Sequence, residues 1–151
     1  HVNKTGSTDM YFKGSLMLHT LRTLIDNDKI WFGIIMGISN EFKYQTVDGV
    51  QIIDYINAKT NRDFNYFFAQ YLKNKDVPEF EYNLVKEGRN NILVCKWNAN
   101  SSFDMPLLIN TGQDDFWIYP NTEFKEIDLG SFDRTSFKIR DDLFYIDIKK
   151  Q

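Results

Sequence analysis

Up to Lys75 the apolar positions recur every three or four residues; after Pro78 they fall into short alternating runs parted by turn residues. The first rhythm predicts helices and the second predicts strands. A polar stretch, His1 to Thr8, precedes a predicted helix from Met10 to Ile25, with Asp9 as its N-cap. The buried stripe of this helix is Met17, Leu21, Leu24 and Ile25, widened by Leu18, with Lys13, Thr20 and Arg22 off it. Asp26-Asn27-Asp28 ends that helix and caps the next, Lys29 to Phe42, where Trp31, Ile34, Ile35, Ile38 and Phe42 share a face. Thr46 is expected to cap a third helix, Val47 to Ala58, with Val50, Ile53 and Ile56 inward. Asp63 is expected to cap a fourth, Phe64 to Lys73, carrying Phe64, Phe67, Phe68, Tyr71 and Leu72 at helical spacing. Val77 precedes Pro78 and is driven to extended geometry, which stops the helical pattern.

Beyond Pro78 the alternation predicts strands at Phe80 to Val85, Asn91 to Trp97, Pro106 to Asn110, Phe116 to Tyr119, Thr122 to Asp128, Ser136 to Arg140 and Leu143 to Lys149. Glu87-Gly88-Arg89-Asn90, Asn110-Thr111-Gly112 and Leu129-Gly130-Ser131 supply turns. Short strands at this spacing predict a small antiparallel β-sandwich. The expected class is α+β, with an all-α part over residues 1–77 and the sandwich over 78–151.

Composition narrows the function classes. With 18 Lys plus Arg against 21 Asp plus Glu, the chain has no basic excess for nucleic acid. No apolar run approaches the roughly 18 residues of a membrane span. A single cysteine, Cys95, excludes an internal disulfide framework and a CxxC redox site. It sits mid-strand with no histidine in its half, and reads as buried and inert. The only histidines are His1 and His19, and HExxH is absent, so these residues assemble no catalytic zinc site by themselves. His19 reads as a hydrogen-bonded structural residue. Asp114-Asp115 and Asp141-Asp142 read as solvated loop charge. Trp97 and Trp117 read as core or strand-pairing residues, with a carbohydrate- or protein-binding sandwich as the competing reading.

One segment carries more. Gly6-Ser7-Thr8-Asp9-Met10-Tyr11-Phe12-Lys13-Gly14, followed by Leu16-Met17-Leu18-His19-Thr20-Leu21-Arg22, resembles the stretch after the zinc site of M1-family (gluzincin) aminopeptidases. There a Tyr-x-Lys-Gly motif opens a helix. Trp31-Phe32-Gly33-Ile34, Gln51 to Ile56, Phe64 to Leu72, Pro78 to Tyr82 and Phe103-Asp104-Met105-Pro106 continue the similarity along nearly the whole chain. The resemblance implies the end of a thermolysin-like catalytic domain followed by its β-sandwich. It matches Tyr11 to the family's catalytic tyrosine, a hydrogen-bond donor to the oxyanion formed when zinc-bound water attacks the peptide carbonyl. Such a donor acts on charge that exists only in the transition state. Lys13 and Gly14 are implied to be architectural, Gly14 admitting a close neighbour.

The zinc ligands and the general-base glutamate of that family are not in this sequence and would precede His1. The resemblance therefore implies a C-terminal portion of a zinc aminopeptidase. Zinc and a peptide with a free N-terminus would belong to the whole enzyme, and this piece alone is expected to be inactive. Its first two helices are then expected to expose apolar surface that a missing catalytic half covers, or that a dimer covers instead. The alternative is a non-catalytic helical plus β-sandwich interaction module.

Overall fold

The computed structural model describes residues 9–151, with side chains from Tyr11 onward. Contacts divide the chain into two compact units. One is the chain up to Phe64 with Leu143–Tyr145; the other is Asn65–Asp142 with Ile146–Gln151.

The first unit contains helices α1 (Asp9–Ile25), α2 (Asp28–Glu41) and α3 (Gly49–Thr60). Leu21, Leu24, Ile34, Ile56 and Phe64 are buried at its centre, with Trp31 and Tyr55 at the margin. Asp9 is the first residue of α1 and not a cap ahead of it. The α1 stripe holds at Leu21, Leu24 and Ile25, with Met17 half-buried. Two positions depart from expectation: Leu18 is exposed and Thr20 is fully buried. The Thr20 hydroxyl donates to the Leu16 carbonyl (3.0 Å) and accepts the amide of Tyr145 (2.8 Å), so both its hydrogen-bonding roles are met away from water.

Asn27 caps α2, its side chain accepting the Ile30 amide at 3.1 Å. Trp31 and Ile34 of the expected face are buried, whereas Ile35 at its edge is exposed. Asp48, not Thr46, caps α3. Its side chain accepts the Gln51 amide and the Gln51 side chain accepts the Asp48 amide, each at 2.9 Å. The inward face of α3 centres on Ile52, Tyr55 and Ile56, so Val50 points outward instead of inward. Tyr55 fits against α2 where Gly37 has no side chain. A Cβ there would stand 1.9 Å from the phenol oxygen.

The second unit joins α4 (Asn65–Lys73) to seven strands: β1 (Glu79–Glu87), β2 (Asn90–Asn98), β3 (Leu107–Asn110), β4 (Asp115–Ile118), β5 (Lys125–Asp128), β6 (Lys138–Ile139) and β7 (Asp147–Lys150). They form two sheets, ordered β5-β2-β1-β7 and β4-β3-β6. Strand β2 alternates strictly, burying Asn91, Leu93, Cys95 and Trp97. The Trp97 indole donates to the Met105 carbonyl at 2.9 Å and meets the rings of Phe80 and Phe103. Buried Gln70 ties α4 to the following loop. Its amide donates to Asp76 O (3.1 Å), and its oxygen accepts the Asn100 amide (3.0 Å). The α+β class is as expected.

The C-terminal segment differs in detail. The alternation read over Leu143 to Lys149 is a 3-10 turn at Asp141–Leu143, a buried Phe144 and only then β7. That strand pairs with β1 in parallel, the one parallel pair among the described strands. Leu143 and Tyr145 are bonded to Thr23 and Thr20 of α1, which takes these residues out of any sheet. No helix among the described residues is long and apolar enough to cross a membrane.

Candidate functional site

The α1 helix begins just before Tyr11, so the phenol stands in the first turn. Helical spacing places Tyr11, Ser15, Leu18 and Arg22 along one stripe, opposite buried Thr20, Leu21 and Leu24. Tyr11 is 74% exposed and Phe12 66%. Ser15 is satisfied within the helix, its hydroxyl donating to Phe12 O at 2.9 Å. Lys13 is half-buried. The expected close neighbour at Gly14 is not found among the described residues, none of which, its own helix backbone aside, lies within 4 Å of its Cβ position.

At the far end of the stripe Arg22 is fixed. Its Nε and Nη2 donate to the two oxygens of Asp28, each at 2.8 Å, and its guanidinium lies 5.4 Å from the ring centroid of Phe32. The bonds hold Asp28 below the usual carboxylate range and Arg22 above its ordinary value. Exposed pairs like this add little stability. Their consequence here is geometric, because Arg22 and Phe32 join the outer faces of α1 and α2. Those faces carry Phe12, Leu16 and Leu18 on one helix and Phe32, Ile35 and Met36 on the other, all exposed. Both helices are thus apolar on two sides, the pattern of helices buried all round.

The metal-ligand residue types do not converge. Among the described residues no group of three His, Cys, Asp or Glu side chains could hold a metal ion. His19 is exposed on α1, and its side chain makes no hydrogen bond with the described residues, so it is not the hydrogen-bonded structural histidine expected. His1 lies outside the described residues. Cys95 is fully buried, and burial pushes its thiol up to about 11, so it is protonated and unreactive at neutral pH.

Two charged clusters escaped the sequence reading. Asp115 and Asp142 are exposed, as expected of solvated charge, but neither is isolated. Both bind Arg140: Asp142 at 3.0 Å through Nε and Nη2, Asp115 through Nη1. The second cluster surrounds Glu81 of β1, whose side chain is 7% exposed. Asn98 Nδ2 donates to it at 2.6 Å, Gln151 Nε2 donates to its other oxygen, and Lys149 (3.5 Å) and Lys96 (3.8 Å) flank it. These bonds, Asn98 and Gln151 foremost, hold the carboxyl at about 2. A signal existed, since the residues opposite Glu81 in β2 and β7 are both lysines, but it requires the register.

No protein-family model matches the sequence, and no curated protein matches it. The fold does have a counterpart among solved structures. A Legionella pneumophila aminopeptidase A, crystallised with aspartic acid, superposes with a TM-score of 0.78 at 13% identity. The superposition covers 96% of this chain and 18% of that one. The chain therefore has an aminopeptidase-like fold and spans less than a fifth of its counterpart's length.

Proposed function

We propose that this chain is the C-terminal portion of a zinc metallo-aminopeptidase of the M1 type, which removes N-terminal residues from peptides. Tyr11 is its contribution to the chemistry. The observation that carries the reading is the outward phenol at the start of α1, in a chain whose fold matches a stretch of an aminopeptidase. A phenol O–H is a hydrogen-bond donor, so it can donate to an oxygen that gains charge during reaction. Because the charge develops only in the transition state, that bond accelerates turnover without tightening substrate binding.

The described residues do not fit a zinc ion, as the absence of a converging ligand set makes plain. Metal ligands and general base would be supplied by polypeptide outside this chain. The exposed apolar faces of α1 and α2 support that division, since they offer a surface for the catalytic half to cover. The same surface also suits a non-catalytic module that docks onto a partner protein.

Turnover of an aminoacyl p-nitroanilide separates the two. The polypeptide encoded by the whole reading frame around this chain is expected to hydrolyse it, and the isolated 151-residue chain supplied with zinc is not. Turnover by the isolated chain that a chelator abolishes, or none by the whole polypeptide, overturns the proposal.

A further inference from the structure

The outer face of the three-stranded sheet carries a second candidate site, independent of the peptidase reading. In that sheet Asn110 of β3 stands between Asp115 of β4 and Lys138 of β6, and Leu108 stands beside Trp117. The Arg140 amide donates to Leu108 O at 3.0 Å and continues the β6 edge. Alternation puts these side chains on one face, while Leu107, Ile109 and Ile118 fill the core behind them. A cleft of about 560 Å³ opens there, lined in part by Asn110, Asp115, Ser136, Lys138 and Arg140. That size lies within the range of small-ligand sites.

The polar groups of the cleft are fixed before any ligand arrives. Arg140 is gripped by Asp115 on one side and by both oxygens of Asp142 on the other. The second oxygen of Asp115 accepts Asn110 Nδ2 at 2.7 Å, and Asn110 Oδ1 accepts the Gly112 amide at 2.6 Å. The Ser136 hydroxyl lies 2.7 Å from Thr111 O. Such a chain of mutually oriented planar groups loses little freedom on binding.

It also keeps open capacity of both kinds. Arg140 uses three of its five N–H donors. The Lys138 side chain makes no hydrogen bond or ion pair with the described residues. The Asp115 carboxylate and the Ser136 hydroxyl retain lone pairs. Charge cancels, with Lys138 and Arg140 against Asp115 and Asp142. An anion entering the cleft would meet the Asp115 carboxylate and an Arg140 already paired with Asp115 and Asp142, and a cation would meet Lys138 and Arg140. Neighbouring hydroxyls on a neutral ring each donate and accept, which is what this mixture matches. Half-buried Trp117, two residues from Asp115 on the same face, offers an apolar surface to the C–H side of such a ring. We propose that this cleft binds a neutral saccharide of one or two rings.

The test is an NMR titration of the ¹⁵N-labelled chain. The neutral probes are maltose, cellobiose, lactose, mannobiose and N,N′-diacetylchitobiose; inorganic phosphate is a separate arm. At least one disaccharide is expected to give saturable shifts confined to the amides around Asn110–Asp115 and Ser136–Arg140 and to the Trp117 indole. Asp115→Asn should weaken that binding about tenfold, the scale of one charge-assisted hydrogen bond. Lys138→Ala should weaken it several-fold, and because Lys138 is exposed and unpaired this variant keeps the test valid if Asp115→Asn fails to fold. No saturable shift with any disaccharide, saturation by phosphate alone, or binding indifferent to both substitutions overturns the proposal.

Discussion

Tyr11 and Glu81 mark opposite extremes of what a residue shows in sequence. Tyr11 is conspicuous through the Lys13 and Gly14 that follow it, and the fold leaves its phenol outward. Glu81 looks like an ordinary solvent-facing strand residue, yet it is buried among Asn98, Gln151, Lys96 and Lys149. Its consequence is a pH dependence of known sign. The folded carboxyl titrates at about 2, against roughly 4.3 in an unfolded chain. The folded state thus binds fewer protons, and the stabilisation is complete above the unfolded value. It is lost as pH falls from about 5 toward 2. Urea unfolding followed across that window should show a falling midpoint. Glu81→Gln should flatten the fall and lower the midpoint at neutral pH, where Lys96 and Lys149 lose their counter-charge. A midpoint equally steep in wild type and variant would mean that Glu81 is not the titrating group.

Elements were legible where one face decides them and opaque where a distant segment intervenes. Helical spacing located all four helices, and strict alternation located β2, because in each a single apolar face meets the core. The third helix shows the limit. Thr46 and Asp48 are both good caps by composition, and only Asp48 has a glutamine three residues on to complete the reciprocal pair. Asp48→Ala should cost about 1 kcal/mol in chemical denaturation, whereas Thr46→Ala should stay within about 0.5 kcal/mol. Equal losses would place the cap elsewhere. The C-terminal strand departs from its local pattern for a different reason. Phe144, Ile146 and Ile148 do alternate, but Thr20 and Thr23 of α1 bond Tyr145 and Leu143, and local pattern carries no trace of partners over a hundred residues away. The Arg140 cluster was hidden likewise: its link to Asp142 is local, while its link to Asp115 depends on β3 lying between β4 and β6.

For the molecule as a whole, the outer faces of α1 and α2 are the feature a free-standing chain explains least. Phe12, Phe32 and Met36 are each more than half exposed, and contiguous apolar surface of this kind is ordinarily covered. Sedimentation of the isolated chain should show self-association that Phe32→Asp with Met36→Lys abolishes without loss of helical circular dichroism. A strictly monomeric wild type that binds no apolar dye would contradict the need for a cover. The central claim is that Tyr11 donates to a developing oxyanion, and steady-state kinetics of the whole polypeptide with Tyr11→Phe tests it most directly. The predicted result is a fall in kcat of about 10²–10³-fold, the scale of one lost oxyanion donor, with KM nearly unchanged. An unaltered kcat, or a loss confined to KM, would contradict it.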